Sequence, residues 1–99
     1  MTQQKVIDIL RDKLQYLKTN FGVKKIALFG SFATKKAQKT SDVDIMIEFQ
    51  EPIGLKFMDL AEYLEKVLGR KTDILTPEGI KGIRIKKIAD AIKRGLRYV

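Results

Sequence analysis

The chain contains no cysteine, no histidine and no tryptophan among its 99 residues. Without cysteine there can be no disulfide and no thiolate zinc site, and without histidine no imidazole base or imidazole ligand. Any chemistry therefore falls to carboxylates, hydroxyls and a metal held by oxygen. Long apolar runs are also missing. Nothing approaches the roughly 20 residues that cross a bilayer. The amino end, MTQQKVIDILRDKL, mixes charge into its apolar positions instead of forming a signal peptide. No membrane partner is expected, and the cytoplasm is the expected location.

Acidic residues are the scarcer charge, 12 against 20 basic ones, for a net charge of +8. Such an excess points to an anionic partner or simply to solubilising lysines, and only local clustering separates the two. With 44% hydrophobic and 32% charged residues the composition is that of a globular chain. Its length suits one domain, residues 1–99, with one core.

Val6, Ile7, Ile9, Leu10, Leu14 and Leu17 recur at spacings of three and four, which predicts an amphipathic helix over about residues 3–19. Asn20 and Gly22 then stop it. KKIALFG (24–30) is too short for a helix and suits a buried strand. A short helical turn is expected from Ser31, then a basic polar loop, KKAQKTS, and a second strand, VDIMIEF (43–49). LKFMDLAEYLEKVL (55–68) has helical spacing up to Gly69, and RKTDIL reads as a third strand. Thr76 and Pro77 form a helix start. Ile80, Ile83, Ile85, Ile88, Ala89, Ala91, Ile92 and Leu96 predict one closing helix. Helices alternating with strands give an α/β layer fold with a three-stranded sheet.

Asp42 and Asp44 stand at the mouth of the second strand, where a plain strand wants apolar or β-branched residues. Residues two apart on a strand project to the same side, so the carboxylates would stand together and repel. A bound divalent cation resolves that conflict. Oxygen-only ligands favour Mg²⁺ or Mn²⁺, and Mg²⁺ completes its shell with water and substrate phosphates, which implies a nucleoside triphosphate as co-ligand. Gly30 and Ser31 supply the matching half. A glycine at a strand end lets backbone approach a phosphate, and the turn starting at Ser31 aims N–H groups and a hydroxyl at it.

The joint arrangement, GSFATKKAQKTSDVD, resembles the nucleotidyltransferase superfamily that includes DNA polymerase beta, whose motif is Gly-Ser, a spacer, then Asp-x-Asp. More closely, the chain is similar to the minimal nucleotidyltransferases found as the antitoxin half of HEPN/MNT toxin–antitoxin pairs, a likeness that extends through EPIGLKFMDLAEYLEKVLGRKTDILTPEGI. The resemblance implies an α+β nucleotidyltransferase fold with a mixed sheet. It implies that Gly30 and Ser31, with Ser41 at the head of the Ser-Asp-x-Asp run, hold the nucleotide. It also implies that Asp42, Asp44 and Asp73 bind metal ions and are catalytic. Asp73 emerges only from the resemblance. The implied reaction transfers AMP from ATP to a hydroxyl, a tyrosine of a HEPN toxin, silencing that toxin.

One departure bears on activity. Most minimal nucleotidyltransferases read Arg-Gly-Glu after the Gly-Ser-aromatic-Ala step, where this chain has Thr34, Lys35 and Lys36. The two lysines either contact phosphate, without arginine's bidentate grip, or are surface charge. The departure opens a second reading, an antitoxin that neutralises its toxin by stoichiometric binding alone. The closing segment is strongly basic, with Lys81, Arg84, Lys86, Lys87, Lys93, Arg94 and Arg97 against Asp90. It is a solvated face or a docking surface for an acidic partner. Nucleic acid ranks third, since the aromatics are scattered in apolar patterns that read as core. Homo- or hetero-oligomers stay open.

Overall fold

The structure, a computed structural model, describes residues 1–38 and 41–99. Lys39 and Thr40, in the expected basic loop, lie outside the described residues.

Helix α1, Gln3–Phe21, starts where Thr2 accepts a hydrogen bond from the Lys5 N–H, and it ends at Gly22 in the left-handed conformation. Strand β1, Val23–Phe29, leads directly into α2, Gly30–Ala33, a single turn one residue earlier than its sequence suggests. Strand β2, Val43–Phe49, helix α3, Lys56–Leu68, and strand β3, Thr72–Leu75, come next as their patterns predict.

The expectation of one closing helix is corrected. Helix α4, Pro77–Lys81, capped by Thr76, stops at Gly82; α5, Lys86–Arg94, stops at Gly95; and Arg97–Tyr98 form a fourth strand, β4. Two glycines and the β-branched Ile83 and Ile85 weaken a continuous helix. The open edge of β1 draws the chain end into pairing, with Ala27 opposite Tyr98 and Leu28 opposite Arg97. The sheet thus has four strands in the order β3-β2-β1-β4, with β2 and β3 parallel and the other pairs antiparallel.

Strand alternation sorts the sheet into two faces. Ile26, Leu28, Val43, Ile45 and Ile47 point into the main core with Val6, Leu10 and Leu17 of α1 and Leu60, Leu64 and Leu68 of α3. Ala27, Phe29 and Met46 point the other way and pack against Ile80 of α4 and Ala89 of α5. Asp44 shares this second face with Met46, its neighbour two residues on. Helices α4 and α5 cover part of that face, and the carboxylates occupy its strand-β2 entrance.

Some apolar residues in the helical patterns are not core. Leu55 is 88% exposed and Met58 68%, because the buried stripe of α3 is set by Leu60, Leu64 and Leu68; Ile85 and Ile88 are also exposed. Among the aromatics, Tyr16 and Tyr98 are half exposed, and Tyr16 stacks on Tyr63 at 4.8 Å between ring centres to tie α1 to α3.

Candidate active site

The β1–α2 turn depends on Gly30. Its φ of +70° lies in the left-handed region, and a Cβ built there would collide with Oδ2 of Asp44 and stand 3.1 Å from its Cγ. Glycine is needed twice over, for the backbone conformation and for the space. The two halves of the motif, far apart in sequence, therefore meet in direct contact. Phe32 is fully buried and fastens α2 to the core, a contribution of about 2–3 kcal/mol. A turn this short develops little macrodipole, so its first N–H groups and the Ser31 hydroxyl are what it offers an anion. Among the described residues that hydroxyl makes no hydrogen bond.

Asp44 pairs with Phe29 across the antiparallel ladder and with Asp73 across the parallel one. The register thus delivers Asp73 beside Asp44, a juxtaposition that spacing alone could not reveal. Burial raises the Asp44 pKa above its ordinary value of 3.8, and the charges of Asp73 and Asp42 and a side-chain hydrogen bond with Asp73 push it further the same way. Both of the other predicted carboxylates therefore act on Asp44. Among the described residues no group of three or more acidic side chains is arranged to hold a metal ion. The crowded all-oxygen donor set nevertheless fits a hard divalent ion that keeps water and substrate oxygens in its shell. Cavity size does not find this site: grooves of about 560 Å³ at Phe49 and Phe57 and about 510 Å³ at Thr2 and Phe32 are lined without any of the three aspartates.

Ser41 closes its own loop, its Oγ accepting from the Gln38 N–H at 2.8 Å and its N–H donating to the Gln38 carbonyl at 3.1 Å. The Thr34 hydroxyl donates back to the carbonyls of Gly30 and Ser31, both at 3.3 Å. Lys36 is exposed, and Lys35 lines the groove against Thr2, Gln3 and Gln4.

Lys35 has a φ of +62°, alone among the non-glycine residues described, at the position where the resembling proteins carry glycine. Lys35→Gly is expected to stabilise the chain by about 0.5 kcal/mol. Relief of about 1–2 kcal/mol of left-handed strain is partly offset by the greater freedom of glycine in the unfolded chain. A thermal-unfolding midpoint below that of the wild type would refute this.

Sequence reasoning missed two residues. Gln3 is buried, and its Nε2 donates to the carbonyls of Phe32 at 3.0 Å and Ala33 at 2.9 Å, satisfying the end of α2 from the start of α1. Its only sequence signal was a polar residue at the head of an amphipathic helix. Arg70, between α3 and β3, donates through Nη1 to the Ser41 carbonyl at 3.0 Å. A charged residue after a C-cap glycine gives no hint of that reach.

Residues 10–98 match the family profile described as the nucleotidyltransferase domain. A candidate protein adenylyltransferase of Methanocaldococcus jannaschii is 42% identical, over 99% of this chain and 98% of its own length. The protein adenylyltransferase MntA of Thermococcus cleftensis is 37% identical, over 100% of this chain and 97% of its own. Among solved structures, a candidate minimal nucleotidyltransferase superposes with a TM-score of 0.72 at 24% identity, covering 100% of this chain and 95% of that one. A complex of a tri-AMPylated HEPN toxin of Shewanella oneidensis with its MNT antitoxin superposes with a TM-score of 0.55 at 18% identity, covering 97% of this chain and 66% of that one. At those identities the two structures establish the fold.

Proposed function

This chain belongs to the nucleotidyltransferase domain family, and from that premise we propose that it is a minimal protein adenylyltransferase, residues 1–99 forming one domain. It transfers AMP from ATP to a hydroxyl, a tyrosine, on a cognate HEPN-type toxin in the cytoplasm, and so acts as an antitoxin. The observation that carries this reading is the contact of the Gly30 backbone with the Asp44 carboxylate, with Asp73 paired beside it. The turn after β1, which would take the phosphates, thus adjoins the carboxylates at the start of β2. The names of the relatives support the reaction class, since AMP transfer to protein is what they are called for.

Asp42, Asp44 and Asp73 would hold Mg²⁺ or Mn²⁺. A metal bound there would supply positive charge against the triphosphate and against the charge that develops at the α-phosphorus. Gly30, lacking a side chain, admits the phosphates to the backbone N–H groups of α2, and Ser31 donates its hydroxyl to a phosphate oxygen. Ser41, Lys35 and Lys36 complete the nucleotide-binding set at its periphery. A carboxylate oxygen of Asp73 takes the proton of the acceptor hydroxyl. The acceptor oxygen bonds to the α-phosphorus as the bond to the bridging oxygen breaks, and pyrophosphate leaves.

A second reading has one specific observation behind it. Thr34, where the resembling proteins carry arginine, spends its hydroxyl on the Gly30 and Ser31 carbonyls and brings no cation. A chain so altered could neutralise its toxin by binding alone. Intact mass spectrometry separates the two. After incubation of a neighbouring-gene HEPN protein with this chain, ATP and Mg²⁺, one or more added adenylyl groups are expected. An unchanged mass within a stable complex would favour binding, and neither product nor complex would reject both readings.

A further inference from the structure

Arg70 sits three residues before Asp73 in sequence, yet its guanidinium reaches the other two segments of the site. Nη1 donates to the Ser41 carbonyl at 3.0 Å and to the Gln38 carbonyl at 3.4 Å, and the guanidinium carbon lies 5.6 Å from the centre of the Phe32 ring. Ser41 directly precedes Asp42. Phe32 is two residues beyond Gly30 and is itself fully buried. One side chain thus connects the strand that carries Asp73, the approach to Asp42 and Asp44, and the turn that carries Gly30 and Ser31.

We propose that Arg70 is a positioning residue that holds these three segments in register, so that Asp42 and Asp44 face the metal–nucleotide with their geometry already set. The proposal rests on the nucleotidyltransferase reading of the site. Its physical basis is that a planar guanidinium offers five donors in a fixed fork and also packs on an aromatic ring. It can therefore bridge two carbonyls and a phenyl face at once. A lysine ammonium at the same place has charge but neither the fork nor the plane. Among the described residues of this segment, Phe32 is anchored in the core, Gln3 holds the end of α2, and Arg70 holds the approach to Asp42.

The test measures binding of the non-hydrolysable analogue AMP-PNP by calorimetry across a Mg²⁺ titration, for wild type, Arg70→Lys and Arg70→Ala. Both variants are expected to bind the analogue about tenfold more weakly in Mg²⁺ and to need more Mg²⁺ for half-saturation. Guanidinium ion at millimolar concentration should restore part of the Arg70→Ala affinity, a readout that mere loss of stability would not give. Arg70→Lys keeps the charge and the aliphatic stem, so it serves if Arg70→Ala does not fold. Wild-type affinity and Mg²⁺ dependence in Arg70→Lys would overturn the proposal, as would a loss in Arg70→Ala that guanidinium leaves untouched. AMP transfer to the partner is scored separately on the wild type. Its absence there would defeat the adenylyltransferase reading while the binding data still decide the role of Arg70.

Discussion

Asp44→Asn is expected to lose adenylyl transfer by at least 10²–10³-fold, on the order of the loss caused by removing one group that stabilises transition-state charge, while making the ion-free chain more stable. The second half stems from the surroundings of Asp44. Burial raises its pKa, and the Asp73 and Asp42 charges raise it further. Between the ordinary carboxylate value and that raised value the folded state binds more protons than the unfolded state. Stability therefore falls as pH rises through this window. Above the raised value the full penalty is present; below the ordinary carboxylate range it is gone. An amide of the same shape carries no charge and escapes the penalty.

Thermal unfolding checks this without any acceptor. At pH 7 in chelator, the Asp44→Asn midpoint should equal or exceed that of the wild type. The difference should shrink as pH is lowered toward 4. Adding Mg²⁺ should raise the wild-type midpoint, because a ligand that binds only the folded state stabilises it by mass action, and should leave the variant unmoved. A variant that melts well below the wild type in chelator would show that Asp44 is a structural carboxylate, and the assignment of the site would fall with it.

Much of this was legible in the chain because the governing patterns are local. The Asp42-x-Asp44 step, the Gly30-Ser31 step and the helix caps at Gly22 and Gly69 depend on residues a few positions apart, and periodicity reports those directly. Strand register and long side chains set the features that stayed hidden. Asp73 stands opposite Asp44 only because β2 and β3 pair in parallel at that offset. Gln3 and Arg70 reach carbonyls 29 to 32 residues away. The fourth strand was missed because apolar residues at helical spacing run from Ile80 past Gly82 to Ile92 and past Gly95 to Leu96, and only the unpaired edge of β1 decides that the chain ends in a ladder.

The second large effect is expected at Gly30, and Gly22 provides its control. Both glycines have left-handed φ values, +70° and +64°, but a Cβ at Gly22 meets nothing within 4 Å, whereas one at Gly30 runs into the Asp44 carboxylate. Gly22→Ala should therefore incur only the backbone strain, about 1–2 kcal/mol of stability, and keep transfer close to wild type. Gly30→Ala incurs the same strain and must also displace Asp44, so its transfer should fall by on the order of 10² or more. The pairing separates site from scaffold: Asp44→Asn loses transfer while gaining stability, Gly22→Ala loses stability while keeping transfer, and Gly30→Ala loses both. Parallel unfolding and transfer measurements on the three variants decide the matter. Transfer in Gly30→Ala within a few fold of Gly22→Ala would mean that Asp44 can move aside without consequence. The contact between the two halves of the motif would then be incidental to the chemistry.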